Sequence, residues 1–211
     1  MKLESEKSIL KWLYANFDLY QHEIKVHPDL TVDVSASLTP TTYNNWTAGL
    51  CPVVFGTVTG HVDFSNRGLV SLRGAPKSCH GFNCGSNYLE SLEGGPKTVF
   101  GAYICSYNEL TDLKGAPDQV GKRFVAHQNP LKSLEGCPSF IGERFHITYT
   151  PTLPLLRTLV AKDGVVFDTS DNDVDPVLER ILDQYKGQGK MAVFDCQKDL
   201  EDAGFEENAR W

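Results

Sequence analysis

Four copies of one eight-residue segment decide the fold: LVSLRGAP at residues 69–76, LESLEGGP at 89–96, LTDLKGAP at 110–117 and LKSLEGCP at 131–138. The copies begin 20, 21 and 21 residues apart, and the proline that ends each copy keeps the same step. A fixed period of this length is typical of repeat proteins, in which each unit forms one coil and packs only on its neighbours. The pattern therefore predicts a solenoid.

A short stretch with alternating apolar residues precedes each copy. These stretches begin at Val62, Phe82, Tyr103 and Phe124, and a fifth, at Phe145, follows the last copy. Alternation of this kind predicts strands, which stacking sets about 4.8 Å apart in a parallel sheet. A similar stretch at 165–167 predicts the last strand. Residues 36–38 indicate a degenerate first turn, in which Tyr43 and Trp46 take the places of the two repeated leucines. We expect the return side of each coil to be irregular loop, with a bulging loop at 47–58.

One asparagine follows three of these strands at the same offset, namely Asn87, Asn108 and Asn129. Its amide carries both a donor and an acceptor, so we expect it to be buried, where it satisfies the backbone that turns away from the strand. The six cysteines contain no CxxC pair, and Cys84 and Cys105 fall on an inward row. We interpret the cysteines as free core residues that pack like small hydrophobic side chains.

The unit FxCxxNxLxxLxGxP resembles the leucine-rich repeat LxxLxLxxNxLxxL in its short bacterial form. It also resembles units of leucine-rich-repeat-like proteins encoded by bacteriophages, which read VGGxFxCSxNxLTSLEGAP, follow a VDV segment and precede a short helical end. Here the corresponding segments are TVDV at 31–34, FGTVTG at 55–60, KGQGK at 186–190 and AGFEENARW at 203–211. The chain departs from the pattern at 39–48. The resemblance implies a viral origin but no reaction.

Apolar residues at helical spacing flank the repeats on both sides, at 4–20 and again after residue 175. We therefore expect an α/β fold, a leucine-rich-repeat-like parallel-β solenoid of short coils with three parts. An N-terminal helical cap occupies 1–30, the solenoid 31–168 and a C-terminal helical hairpin 169–211. A chain of 211 residues suits one such domain.

The net charge of -7 is located entirely near the C-terminus. Residues 1–160 hold 14 Lys and Arg against 14 Asp and Glu, whereas residues 161–211 hold 6 against 13. A neutral body lacks the basic surface that binding to phosphate backbones needs, so direct nucleic-acid binding is disfavoured. The sequence shows neither a membrane span nor a signal peptide, which predicts a cytoplasmic protein. It predicts no metal or cofactor and no enzymatic activity, because it contains none of the usual catalytic motifs.

The outward positions of the sheet vary from coil to coil, while the inward rows are nearly uniform. Such a face, rich in Tyr, His and Asn, is typical of protein-binding surfaces. We predict these binding residues: Asp63, Asn66, Asn83, Ser86, Ile104, Tyr107, His127, Gln128, His146 and Tyr149. Given the viral resemblance, the expected partner is a host bacterial protein, for example one that serves in defence, and the chain would bind or inhibit that protein. The alternatives are a virion or assembly component, which could form homo-oligomers, and a nucleic-acid mimic acting through the acidic C-terminal helices.

Overall fold

The structure is a computed structural model that describes residues 3–41, 51–168 and 173–211. It shows a parallel β-solenoid of about six turns with a few helices. Each complete coil carries two short strands, so two sheets run along the solenoid. The apolar core lies between them and extends to both ends of the chain.

The first sheet has six strands, which pair in parallel in the order β13-β12-β10-β8-β6-β4. They are β4 (His61–Asp63), β6 (Gly81–Asn83), β8 (Tyr103–Ile104), β10 (Phe124–Val125), β12 (Phe145–Thr148) and β13 (Val165–Asp168). The register joins Phe82 to Tyr103, Tyr103 to Phe124 and Phe124 to Phe145. The parallel strands predicted from the repeat, including the last one near 165–167, are therefore confirmed.

The second sheet corrects the prediction that the return side of each coil is irregular loop. It has the order β1-β2-β3-β5-β7-β9-β11. Its strands are β1 (Ile24–Val26), β2 (Thr31–Val34), β3 (Val54–Val58), β5 (Ser78–Cys79), β7 (Thr98–Val99), β9 (Gln119–Val120) and β11 (Phe140–Ile141). Identical offsets place the return segments of adjacent coils side by side, so their backbone groups pair as well.

Two smaller expectations fall near the first coil. The expected bulging loop at 47–58 is wrong over residues 54–58, which form β3. Its part at 47–50 lies outside the described residues, as do Tyr43 and Trp46. The degenerate turn at 36–38 does join the solenoid, because Leu38 forms an isolated parallel bridge with Val62.

A column of aromatic rings fills the interior behind the six-stranded sheet. The centroids of successive rings are 5.8, 5.5, 5.4 and 5.2 Å apart along the series Phe64, Phe82, Tyr103, Phe124 and Phe145. All five side chains are fully buried. Burying one such side chain contributes roughly 1.5–3 kcal/mol, so this column is a main source of the stability that holds adjacent coils together.

The asparagine row is buried as predicted and links each coil to its neighbours. Nδ2 of Asn108 donates to the carbonyl oxygens of Cys84 at 3.0 Å and Cys105 at 3.1 Å, and its Oδ1 accepts from the N–H of Leu89 at 3.0 Å. Asn87 and Asn129 make the same kind of bonds one coil away on either side. These bonds fix where each strand ends.

Among the residues that the structure describes, three α-helices lie outside the repeats, at the positions where the sequence predicts them. They are α1 (Glu6–Asn16), α2 (Pro176–Tyr185) and α3 (Val193–Asp202). Each buries apolar side chains in the common core, among them Leu13 of α1, Leu178 of α2 and Leu200 of α3. That these helices act as caps remains a prediction. No helix of the described residues is both long and apolar enough to cross a membrane.

Candidate functional site

The outward face of the six-stranded sheet carries one side chain per coil in a straight row. The paired residues are Asp63, Asn83, Ile104, Val125, His146 and Val166. All six are partly exposed, while the alternating residues behind them are buried in every strand except β13, where Val165 and Phe167 are partly buried. The row changes from polar to apolar along the solenoid, which gives the face a polar end and a mixed end. We call this surface, together with the residues that continue these strands, the outward face.

Four residues of the outward face have a left-handed backbone. Their φ angles are 54° at Asn66, 56° at Ser86, 55° at Tyr107 and 55° at Gln128. They occupy the same offset in successive coils, at the point where the chain leaves the sheet. A residue other than glycine in this region costs about 1–3 kcal/mol, which the surrounding ladder must offset. The turn directs these side chains away from the core, so that Tyr107 is 55% exposed.

The polar end of the face satisfies its own hydrogen bonds. Oδ1 of Asp63 accepts from the backbone N–H of Ser65 at 2.9 Å and from its hydroxyl at 2.6 Å. In the next coil, Oδ1 of Asn83 accepts from the N–H of Gly85 at 3.0 Å. These local turns use the acceptor groups that a partner would otherwise contact.

The mixed end of the face is organised around the carboxylate of Asp168. Nε2 of Gln128 donates to its Oδ2 at 2.7 Å, while Nδ1 of His127 lies 3.5 Å from the same oxygen, too far for a good hydrogen bond. The ring of Tyr107 meets the His127 ring edge-on, with centroids 5.3 Å apart. Side chains from three coils are therefore held in one group, which limits the entropy they would lose on binding.

His146 lies beside this group, in register with Val125 of the preceding coil. Burial lowers the pKa of His146 from its ordinary value, and the positive charge of Arg123 lowers it further, with smaller contributions from His127 and Arg144. The two arginines thus bring positive potential to the mixed end of the face. They immediately precede Phe124 and Phe145, the first residues of β10 and β12.

One predicted binding residue does not belong to the face. Tyr149 is only 7% exposed, and its ring packs edge-on against Phe167 with centroids 5.5 Å apart. It occupies the same offset as Tyr107, but φ is positive only at Tyr107. The alternation that buries Phe145 and Ile147 therefore continues to Tyr149. The prediction that Tyr149 is exposed is wrong for this reason.

The other nine predicted binding residues are partly or fully exposed on the outward face: Asp63, Asn66, Asn83, Ser86, Ile104, Tyr107, His127, Gln128 and His146. Arg123, Arg144 and Asp168 also belong to this surface but were not predicted from the sequence. A signal was present for the arginines, because strict alternation places the residue before each inward aromatic on the outward side. For Asp168 the signal was weaker, since the last coil has no copy of the repeat to set its register.

The six cysteines are free, and none is suited to nucleophilic chemistry at neutral pH. Burial raises the pKa of Cys84 and of Cys196 to about 12, and the nearby Asp199 adds to the shift at Cys196. Since the thiolate is the reactive form, these thiols act as core residues, as the sequence predicts. Over residues 3–41, 51–168 and 173–211, no group of three His, Cys, Asp or Glu side chains could hold a metal ion.

Comparisons with models of protein families, with curated proteins and with solved structures give no match for this chain.

Proposed function

We propose that this protein is a non-enzymatic binding solenoid with leucine-rich-repeat-like coils and helical caps, and that it binds another protein through the outward face. In keeping with the resemblance to phage-encoded repeat proteins, the partner is a host bacterial protein, which this chain inhibits in the bacterial cytoplasm. The resemblance suggests the source and the kind of partner. The composition and geometry of the face support the binding role.

One observation carries the proposal: outward side chains differ in every coil of a scaffold whose inward positions repeat. Behind the sheet, aromatic rings and asparagines recur from coil to coil. The exposed positions differ, and include Tyr107, Gln128 and His146 in neighbouring coils. Aromatic side chains dominate the energy of many protein interfaces. Tyr107 is exposed, lies near the middle of the row and contacts His127, so it is the expected anchor.

A pull-down from bacterial lysate tests the proposal. Wild-type protein is compared with the double variant Tyr107→Ala/Ile104→Thr, which removes the exposed ring and shortens the apolar row. Threonine keeps the strand preference of β8, so the sheet should persist. We expect the captured partner to be lost, because truncating one buried aromatic anchor commonly weakens binding at least about 30-fold.

The matched control is Tyr88→Ala/Val70→Thr. Tyr88 is 63% exposed and Val70 is 55% exposed, and both lie on the segment that follows the buried asparagine position rather than on the outward face. This control should capture the same partner as the wild type. Capture that survives in the face variant and disappears in the control would place the interface elsewhere and refute the proposal.

The runner-up, an assembly component that forms homo-oligomers, is favoured by a separate observation near the C-terminus. Met191, in the short 3-10 helix just before α3, is 89% exposed, and Phe194, three positions later in the first turn of α3, is 82% exposed. Exposed apolar side chains so close together often mark contacts between proteins. If this candidate is correct, sedimentation will show oligomers that dissociate in Met191→Ser/Phe194→Ser and persist in the outward-face variant.

A further inference from the structure

The mixed end of the outward face carries an arginine pair on adjacent coils. Because Phe124 pairs with Phe145 in register and the N–H of Phe124 donates to the carbonyl oxygen of Arg144, Arg123 and Arg144 lie side by side. Parallel strands are about 4.8 Å apart, so two full positive charges share a small area. Like charges directly opposite each other in a sheet are unfavourable in the isolated protein.

The described residues provide no ion pair for this positive charge. Within the part of the chain that the structure describes, no carboxylate lies within 4.0 Å of either guanidinium group. At the equivalent offset the coil before the pair has Ala102 and the coil after it has Gly164, so neither neighbour contributes a side chain that could balance the charge. Both guanidinium groups are exposed and available to a ligand.

The residues around the pair narrow the choice of ligand. Ile104 and Val125 form a half-buried apolar strip next to it, with the exposed Tyr107 ring beyond the strip. Asp63 and Asp168 carry negative charge on the same face, and the body of the chain is neutral overall. A nucleic-acid backbone needs a broad positive surface, which two arginines flanked by acidic side chains do not supply, whereas two arginines suffice for two carboxylates.

We propose that the outward face binds an acidic segment of a protein, with Arg123 and Arg144 each pairing with a carboxylate and with the strip of Ile104, Val125 and Tyr107 receiving its apolar side chains. The planar guanidinium matches a carboxylate in bidentate fashion, which gives the contact both strength and orientation. Binding also removes the repulsion between the two arginines. This inference rests on the proposed function of the same face and specifies the chemistry of the partner.

The probe is a fluorescent peptide of alternating glutamate and leucine, about twelve residues long, which is enough to cross six strands spaced at about 4.8 Å. Fluorescence anisotropy is measured with the full chain in wild-type form and in the variant Arg123→Glu/Arg144→Glu. We expect the variant to bind at least about tenfold more weakly, because both charge-assisted contacts become repulsive. Added salt should also weaken wild-type binding.

The matched control is Lys97→Glu/Lys132→Glu, which changes the net charge by the same amount at exposed sites of other coil segments. It should bind the acidic peptide within about twofold of wild type, because neither lysine belongs to the outward face and charges in solvent are screened by salt. A peptide with lysine in place of glutamate should not bind. Circular dichroism of all variants establishes that they remain folded.

Three results would overturn the inference. They are equal binding of the acidic peptide by wild type and by the arginine variant, no binding of that peptide even at about 1 mM, and tighter binding of a single-stranded DNA of similar length than of the peptide. The last would identify a phosphate site instead. In the lysate experiment, capture that depends on Tyr107 but not on the arginines would leave the proposed function intact and reject the acidic partner alone.

Discussion

At the scale of single residues, Asn108 joins its own coil to the preceding coil through one amide group. Its side chain bonds to backbone groups of Cys84, Leu89 and Cys105, and a fourth contact reaches the carbonyl oxygen of Ser106 at 3.3 Å. All these groups are buried, so none can turn to water if the amide is removed. The coil is therefore stabilised by the hydrogen bonds of the Asn108 amide more than by the volume of its side chain.

Replacing Asn108 by alanine should lower the free energy of unfolding by about 3 kcal/mol, since four hydrogen bonds at roughly 0.5–1.5 kcal/mol each are lost. Urea unfolding followed by circular dichroism measures the difference. Asn83→Ala is the control, because Asn83 is partly exposed and its side-chain oxygen accepts only a local bond from Gly85. It should cost less than about 1 kcal/mol. Equal losses in the two variants would mean that the buried amide has no special role.

The left-handed backbone makes a second residue-scale prediction at Ser86, where φ is 56°. Ser86→Val should destabilise the protein by roughly 1–3 kcal/mol, because a β-branched side chain clashes in this region. Ser86→Gly should be neutral or stabilise by up to about 1 kcal/mol. The control Ser78→Val lies in the extended strand β5, where valine is favoured, and should not destabilise. Denaturant midpoints of the three variants decide whether this order holds.

The same backbone angle explains why Tyr107 could be predicted from the sequence and Tyr149 could not. Both tyrosines occupy the same offset of their unit. The offset alone predicts exposure, but the side chain turns outward only where the chain leaves the strand in a left-handed conformation. After Ile147 no full copy of the repeat follows, so nothing in the sequence states that the extended strand continues.

Asp33 makes stability depend on pH near the second sheet. Its Oδ1 accepts from the N–H of Thr57 at 2.7 Å and its Oδ2 contacts Nε2 of His27 at 2.7 Å. The bond from Thr57, followed by the contact with His27, lowers the pKa of Asp33 below its ordinary value. The charged form is thus favoured in the folded state, so this contribution is present above the unfolded pKa and is lost as pH falls through the lower, folded value.

Asp33→Asn should therefore cost about 1 kcal/mol at neutral pH, a modest value because the side chain is 38% exposed. The difference from wild type should shrink towards zero as the pH falls below about 4. Urea unfolding at a series of pH values measures it, with the exposed acid Asp118 replaced by asparagine as control. A difference between wild type and Asp33→Asn that stays constant over the whole acidic range would show that the charge of Asp33 does not contribute.

At the scale of secondary structure elements, a corner joins the two strands of each coil. Between β9 and β10 this corner contains Gly121, and an added Cβ atom there would lie 2.0 Å from the carbonyl oxygen of Phe100 in the preceding coil. Gly142 occupies the equivalent corner one coil later, where a Cβ would lie 2.1 Å from the carbonyl oxygen of Gly121. Glycine at these corners lets adjacent coils approach to strand-pairing distance.

Gly121→Ala should therefore destabilise the protein by about 3 kcal/mol, the upper end of the cost of overpacking, because rigid backbone must move. Gly85→Ala is the milder control, since its nearest contact would be the Ser106 carbonyl oxygen at 3.1 Å. Thermal unfolding compares the two variants. If both variants melt at the same temperature, the contact between a Cβ atom at residue 121 and the Phe100 carbonyl oxygen does not limit stability, and this prediction is wrong.

The shortness of its strands explains why the second sheet was not predicted from the sequence. Its strands β5, β7, β9 and β11 have only two residues each, so alternation over four or more positions never develops. Val99, Val120 and Ile141 do repeat at the coil period and are all buried. Their repetition identifies them as inward residues, but only the pairing of neighbouring coils makes them strands.

At the scale of the whole molecule, the repeated offsets make the coils nearly equivalent. The ring column, the asparagine row and both sheets continue from one coil to the next with the same register. Each coil contacts its two neighbours, so stability is roughly a sum of coil and interface contributions. This regularity is why the central fold was predictable from one chain, while the ends, which lack the repeat, were predicted only as helices.

Deletion of residues 110–130 tests this equivalence directly. It removes one complete unit and lets Tyr103 pair with Phe145 in the register it now has with Phe124. We expect a folded protein with cooperative unfolding, a lower free energy of unfolding and a urea m-value smaller by about one tenth, in proportion to the chain removed. Deletion of residues 110–120 removes only the return half and places corner residues against a strand, so that variant should not fold. If both deletions behave alike, the coils are not interchangeable units and the stability of this solenoid is not a sum over neighbours.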